Sequence, residues 1–520
     1  MAFLTGRQHM GVAAVIMAVS IFLSRFMGLI RDKVISFYYG ASIESDIYFA
    51  SFVIPDFLNY LLAGGYFSIT LIPLLAEYFG KDEKDGWSFL SSVLFWVGVV
   101  ATAGTCVAWL SAPYLAKIAA PGFDAASLIR LTYFLRIILP AQIFFLLGSC
   151  LSGVLYMRKQ FLVPALVPLV YNASIIVGGL LMIDKGMEGF CWGVLFGAVS
   201  GSFMLPYIAV RSGGLQWRFT LNHRGLKKFV LLALPLMIGQ SIVVLDEQFV
   251  RIFGSLTGDG AVSLLNYSRR IMLVPVGVVA QAAGVASYPF LAALVAKGDT
   301  DEFNATLSRA LRNTMLFIVP LSFWMISAAE PTLRLIFQQG SFGAQETLGA
   351  TPLLQIMLAS VAFWGVQQMI GRAFYAHKDT ITPAVVGSIV SLLAVPVYWY
   401  LGKTIGVMGV ALAGTMSVII YTVALSTVWK HRFGGDAFKG VVRMFLLSAV
   451  LCVPAMAASI FTVQQIPLLL KGQPLTGAFA SLAVSGTLFC ALYACTSWLL
   501  APKAIEPVIA FVRGRILRRA

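Results

Sequence analysis

Long apolar runs, separated by short polar connections, constrain this 520-residue chain more than any other feature. Fourteen can be marked, at about 10–39, 44–79, 87–112, 125–156, 161–183, 187–210, 226–254, 260–296, 303–329, 346–376, 381–402, 405–429, 440–463 and 475–501. A helix needs roughly 20 apolar residues to cross a bilayer. The runs are continuous and not alternating, so a β-barrel is excluded in favour of helices. Charged residues make up only 11% of the chain. A soluble protein, which carries about 25%, needs more than that to clothe its domains. The expected fold is therefore an all-α polytopic membrane protein of about fourteen transmembrane helices. The first run has the look of a signal-peptide core, but Ser24-Arg25-Phe26-Met27-Gly28 offers no A-x-A cleavage pattern, so it is expected to stay as a span.

Lys and Arg set the orientation. With both termini on one side, that side collects about 21 bases, including Arg7, Lys81, Lys84, Arg158, Lys159, Arg218, Lys378, Lys430, Lys439, Lys503, Arg513, Arg515, Arg518 and Arg519. The other side collects five: Lys117, Lys185, Arg334, Lys403 and Lys471. The positive-inside rule places both termini in the cytoplasm. The net charge of +15 is thus spread over loops and does not form a nucleic-acid patch.

The chain also repeats. Tyr156 to Lys159, followed by Pro164-Ala165, matches Tyr375 to Lys378, followed by Pro383-Ala384, at an offset of 219. Gly186 and Gly189 match Gly406 and Gly409 at 220, Pro73 to Ala76 match Pro289 to Ala292 at 216, and Gly40 matches Gly254 at 214. Two six-span, pseudo-symmetric lobes follow, an N-terminal lobe at 1–222 and a C-terminal lobe at 223–435. Two extra C-terminal helices occupy 436–520. Six spans is an even number, so the lobes keep one orientation, as in transporters whose substrate cavity lies between parallel repeats.

Enzyme chemistry finds no footing. The six Cys lie in apolar stretches without a CxxC pair, so no metal or disulfide framework is expected. The four His lie in polar connections, which leaves no Ser/His/Asp arrangement within the membrane. No GxxxxGK[ST] loop is present, so transport would draw on an Na+ or H+ gradient or on the membrane potential.

Charges within the spans are the candidate functional residues, because a base in the bilayer core costs about 2.5–3.5 kcal/mol on insertion scales. Lys33, Arg130, Arg309, Arg312 and Arg372 lie near span ends, where snorkelling explains them. Arg25, Gly28, Arg31 and Asp32 share about a 120° arc of span 1. They read as a polar cavity face or, for Arg31, as an internal pair with a neighbouring acid. Span 2 carries Asp46, Asp56 and Asn59, with Pro55 and Gly64-Gly65 breaking its regularity. Span 7 carries Asp246 and Glu247, and span 8 Arg269 and Arg270, only one of which can face the same space as the others. Asp246 is the repeat mate of Asp32. With Glu247 beside it, it is the candidate for ion coupling, the alternative being a structural pair with Arg270. A cavity with deep arginines suits an anionic head group, since the guanidinium fork matches phosphate oxygens.

These positions resemble the MurJ (MviN) family, the lipid II flippases of the multidrug/oligosaccharidyl-lipid/polysaccharide exporter superfamily. The resemblance starts with Ser24-Arg25, Gly28, Arg31-Asp32 and Gly40. It continues with Asp46, Pro55, Gly65-Tyr66-Phe67-Ser68, Pro73 and Ala76-Glu77-Tyr78. Ala120-Pro121-Gly122-Phe123, then Pro164-Ala165 with Pro168 and Asn172, extend it. Phe337 to Phe342 and Phe374 to Thr380, through Pro383, complete it. The resemblance implies alternating access in the bacterial cytoplasmic (inner) membrane. It implies Arg25, Arg31 and Arg270 holding a lipid-linked pyrophosphate, with Asp32, Asp46 and Asn59 nearby. It also implies a tail groove on the last two spans, sodium at Asp246 in some members, membrane lipids as neighbours, and the cell-wall synthesis machinery as a partner. The chain departs from the family pattern in having Asn59 for a cavity Arg, Gly64 for Glu and Arg269 for Asp. It also lacks the Asn and Asp of a sodium site on span 11. The expected activity is transfer of lipid II to the outer leaflet. A paralogous flippase for an O-antigen or exopolysaccharide precursor is the alternative. A drug/cation antiporter fits the deep arginines poorly, and a non-transporting scaffold would tolerate their neutralisation.

Overall fold

The computed structural model describes residues 8–63, 70–216, 220–241, 245–470 and 473–502. Arg7, Gly64-Gly65, the Gly65–Ser68 segment, Arg218, Lys471, Lys503 and the arginines after it lie outside the described residues. Among the described residues the regular structure is wholly helical. The chain divides into two compact units, Met1–Ser263 and Leu264–Ala520.

The first unit holds α1 (Met10–Tyr39), α2 (Ile43–Ala50), α3 (Val53–Ala63), α4 (Ile72–Lys81), α5 (Glu83–Leu110), α6 (Ala112–Ala119) and α7 (Ala125–Ile138). It continues with α8 (Ala141–Met157), α9 (Leu162–Leu181), α10 (Glu188–Gly197), α11 (Leu205–Ser212), α12 (Arg224–Ser241) and α13 (Leu245–Gly254). Then α14 (Ala261–Pro275) starts in the first unit and ends in the second. The helix starts follow local chemistry. Asp82 accepts from the Lys84 N–H at 3.1 Å to cap α5, and Asp124 accepts from the Ser127 N–H at 2.9 Å to cap α7. The Ser127 hydroxyl and N–H hold the exposed Asp124 carboxyl below the usual carboxylate range. Ser42 and Ser45 form a reciprocal capping box at α2. Gly40, at φ 60°, ends α1 in a conformation that favours glycine.

Trp87, Phe89, Leu90 and Val93 of α5 pack with Cys150, Leu151 and Val154 of α8 in one buried cluster. Phe229 and Ala233 of α12 join that cluster, so the first half of run 7 packs into the first unit. The repeat puts a lobe boundary at 222/223, whereas contact between helices puts the unit boundary at 263/264. Within the unit α9 lies closely on α10. A Cβ on Gly178 would lie 2.7 Å from Gly193 Cα, and one on Gly193 would lie 2.7 Å from Ile175 Cα. Gly189, Gly193, Gly197 and Gly201 recur every four residues, giving α9 a flat glycine face to lie against.

The second unit continues with α15 (Ala282–Lys297), α16 (Thr300–Ser327), α17 (Ala329–Ile336), α18 (Ala344–Leu358) and α19 (Val361–Ala376). It ends with α20 (Ile381–Ile405), α21 (Val407–Phe433), α22 (Val441–Leu469) and α23 (Pro474–Leu500). The last two pack against each other, α22 also on α16 and α23 on α17. Two of the matched pairs share backbone geometry, whereas Gly40 has positive φ and Gly254 is helical. Lys159 and Lys378 are the two non-glycine residues with positive φ among the described residues, each at 60°. Gly186 and Gly406 have φ 70° and 67° with ψ −148° and −143°.

Among the described residues ten helical stretches are long and apolar enough to span a membrane, or eleven when α18 and α19, bent by 41°, count as one. Fourteen runs were expected, and the difference lies in runs 2, 7 and 8. In run 2 the described helices are α2, α3 and α4, and in run 7 α12 and α13, with residues 64–69 and 242–244 outside the described residues; run 8 is divided between α14 and α15 with a π-helical turn at Val276–Gln281. Pro55 and Pro275 stand at such breaks, where a missing N–H interrupts the ladder.

Candidate functional site

Arg31 lies within α1, and its side chain is 15% exposed. Its Nε and Nη2 donate to Asp32 Oδ1 at 3.0 and 2.9 Å, and Asp32 is fully buried. Its Nη1 donates to Asn172 Oδ1 at 3.3 Å, while Asn172 Nδ2 donates to the Pro168 carbonyl at 2.9 Å. The Pro-x-x-x-Asn spacing of α9 thus anchors an amide whose oxygen orients the guanidinium. The internal acid pair weighed from sequence is present. It makes a base at this depth tolerable, because a charge buried without compensation costs several kcal/mol. A Cβ on Gly28 would touch nothing within 4 Å, so the space beside Arg31's helix face is open. Arg25 is exposed, one and a half turns before Arg31.

Asp46 is fully buried in α2. It accepts from the Ser263 N–H at 2.7 Å and from the Ser263 hydroxyl, and that hydroxyl is also 2.9 Å from Ser45 Oγ. Two glycines let the surrounding turns close up. A Cβ on Gly260, at φ 80°, would lie 2.5 Å from the Ala41 carbonyl oxygen, and one on Gly122 would lie 2.1 Å from that of Ser255. The Gly122 N–H donates to Ser255 Oγ at 3.2 Å. The turns at 40–46, 120–123 and 254–263 therefore form one polar knot in the first unit. The glycine of the Ala-Pro-Gly-Phe segment is needed for that approach.

A second ionic group joins α3 and α13. Arg251 Nη1 donates to Asp56 Oδ2 at 2.8 Å and to Gln248 Oε1 at 3.2 Å, and Nη2 donates to Glu247 Oε1 at 3.3 Å. Asp246 and Glu247 are half-buried in the first turn of α13. Asn59 is half-buried on α3 and lines a cavity of about 270 Å³ with Ser149, Ser152, Tyr171 and Ser202. Arg269 and Arg270 are half-buried on α14.

The structure therefore brings Arg31 together with Asp32, and Glu247 together with Arg251. It places Arg25, Asp46, Asn59 and Asp246 elsewhere in the same unit, and Arg270 in the other. Sequence reasoning missed Ser263 and Arg251. The first leaves no signal, being 217 residues from Asp46. The second was visible as an i, i+4 partner of Glu247. In the second unit a groove of about 510 Å³ runs between α16 and α23, lined by Leu316, Phe317, Pro320, Trp324, Phe489, Tyr493 and Ala494. Among the described residues no group of three or more His, Cys, Asp or Glu is placed to hold a metal ion.

A family model described as lipid II flippase MurJ matches residues 35–472. A probable lipid II flippase MurJ of Buchnera aphidicola subsp. Acyrthosiphon pisum is 28% identical over 368 residues, covering 69% of this chain and 72% of the relative. The lipid II flippase MurJ of Thermosipho africanus is 28% identical over 408 residues, covering 78% and 83%. A solved structure titled lipid II flippase MurJ, inward closed conformation, superposes with a TM-score of 0.78 at 23% identity. It covers 95% of this chain and all of that one.

Proposed function

The chain belongs to the lipid II flippase MurJ family, and from that premise we propose that it carries an undecaprenyl-pyrophosphate-linked peptidoglycan precursor from the cytoplasmic to the outer leaflet by alternating access. The relatives' names favour lipid II over another polyprenyl-linked sugar. The observation that carries a mechanism is the Arg31 fork, held within a long apolar helix by Asp32 and Asn172. In that pairing Arg31 is oriented and partly neutralised. An arriving pyrophosphate, with more charge and more oxygens than Asp32 and Asn172 supply, competes for the same donors. Arg25 and Arg270 are the further bases for the head group, and Asp46 and Asn59 the further polar contacts.

The lobes are 1–222 and 223–435. The shared φ and ψ of Gly186 with Gly406, and the shared φ of Lys159 with Lys378, support descent from one repeat. Residues 436–520 take the polyprenyl tail, a role supported by the apolar groove on α23. Glu247 is committed to Arg251, which shifts the coupling role to Asp246, with Na+ or H+ as the ion. Both termini are cytoplasmic by the count of bases, and the chain performs transport without covalent chemistry. The test is lipid II translocation in proteoliposomes. Arg31→Ala should abolish it while leaving insertion and folding intact, and Arg31→Lys should restore little, because a point charge lacks the planar fork. Wild-type translocation by Arg31→Ala would refute the mechanism.

A further inference from the structure

A second cavity in the second unit lies outside the tail groove. It measures about 820 Å³ and is enclosed by α16, α19, α21, α22 and the connection between the last two. Phe363, Val366, Val423, Phe445 and Leu446 give it apolar walls. Val423 and Leu446 are more than half exposed, so the cavity opens sideways to where acyl chains would lie. Its mouth is different in character. Lys430, at the end of α21, and Lys439, just before α22, both line it, with Asp436 as the one acid among the lining residues. Arg443 lies in the first turn of α22, and Arg312 Nη1 is 3.7 Å from where a Cβ on Gly440 would stand.

The mouth is held in shape. Ser308 Oγ donates to the Lys439 carbonyl at 2.9 Å, which ties the connection to α16. The Lys430 side chain lies along Gly435, where a Cβ would meet Cε at 3.3 Å. The nearby Arg432 is taken by Asp379 at 2.5 Å. Among the described residues no acid lies within ion-pair distance of Lys430, Lys439, Arg443 or Arg312. Two lysines without an ion-pair partner at the mouth of an apolar cavity open to the bilayer, with Arg443 close by in the chain and Arg312 on α16, match a head group with one phosphate charge carried on acyl chains.

We propose that this cavity is a binding site for an anionic phospholipid, phosphate against Lys430 and Lys439 and acyl chains along Phe445 and Leu446. By the sidedness read from Lys and Arg, its source is the cytoplasmic leaflet. The site is separate from the transported lipid's groove on α23 and does not depend on which lipid the chain transports.

The experiment is native mass spectrometry of the full chain in detergent, titrated with phosphatidylglycerol or with phosphatidylethanolamine of identical acyl chains. The wild type should retain phosphatidylglycerol in preference. K430Q/K439Q should lower that retention roughly tenfold and leave phosphatidylethanolamine unchanged. Leu446→Trp, which fills the cavity, should reduce both, whereas K84Q/K297Q, at distant exposed bases, should change neither. Monodisperse elution and an unchanged melting temperature certify each variant as folded. Phosphatidylglycerol retention at the wild-type level in K430Q/K439Q or in Leu446→Trp would overturn the site. So would a loss of undecaprenyl pyrophosphate binding, with phosphatidylglycerol unaffected, in K430Q/K439Q, because the cavity would then serve the transported lipid.

Discussion

At the scale of single residues, the first unit is held by polar contacts that one substitution can expose. Arg251 serves two carboxylates, Asp56 on α3 and Glu247 on its own helix. Removing Arg251 leaves two part-exposed carboxylates without their partner, at less than the ~3–5 kcal/mol that breaking a fully buried pair costs. Arg251→Gln should therefore lower the melting temperature of the purified chain. Asp56→Asn added to it should recover part of the loss, read as a positive coupling in a double-mutant cycle. Additive losses would show that the two do not interact. Asn172 acts on Arg31 through one oxygen while its amide N is held by Pro168. Asn172→Leu should raise the lipid II concentration needed for half-maximal translocation. Asn172→Gln, which keeps the amide, should recover more than Leu does, and equal behaviour of the two would remove Asn172 from the positioning of Arg31. How far such contacts can be read from sequence depends on their separation. Arg31 beside Asp32, and Glu247 four residues before Arg251, are visible because helix geometry dictates them. Ser263 on Asp46 and Arg251 on Asp56 span 217 and 195 residues, and nothing local in either sequence neighbourhood announces the partner.

At the scale of elements, small residues decide how closely helices approach. The α9–α10 pair rests on glycines whose Cβ positions are already filled by backbone atoms. Overpacking a tight interface costs about 1–3 kcal/mol, and between backbones there is no side chain to give way. Gly193→Leu should destabilise the first unit by at least that much, seen as early melting and loss of membrane-inserted yield, whereas Gly214→Leu would fail only through its positive φ. The groove on α16 and α23 permits the opposite experiment. Ala494→Trp adds bulk where the tail is proposed to lie, so it should reduce lipid II translocation while leaving soluble, tail-less head-group binding at wild-type strength. Unimpaired translocation would detach the tail from this groove. Apolar run length found the long helices because crossing a bilayer demands length. It could not find where run 2 divides between α2 and α3 or run 8 between α14 and α15, since a break needs only a proline or a π turn, and those leave mean apolarity unchanged.

At the scale of the whole molecule three things meet: the twelve-run repeat expected from sequence with two further helices after it, a half-buried arginine fork, and membership of the lipid II flippase MurJ family. The repeat is an expectation from four anchors at nearly one offset, and two of them, Lys159 with Lys378 and Gly186 with Gly406, share positive-φ turns that few residues adopt. Substrate identity was not legible from composition, because an arginine-lined site answers to pyrophosphate whatever sugar it carries. The most direct measurement is growth of a bacterial strain depleted of its own lipid II flippase and expressing this chain. The expected result is survival with normal cell shape by the wild-type chain, and lysis when Arg31→Ala replaces it at equal membrane abundance. Lysis with the wild-type chain correctly inserted, or survival with Arg31→Ala, would contradict the central claim that this arginine carries lipid II across the membrane.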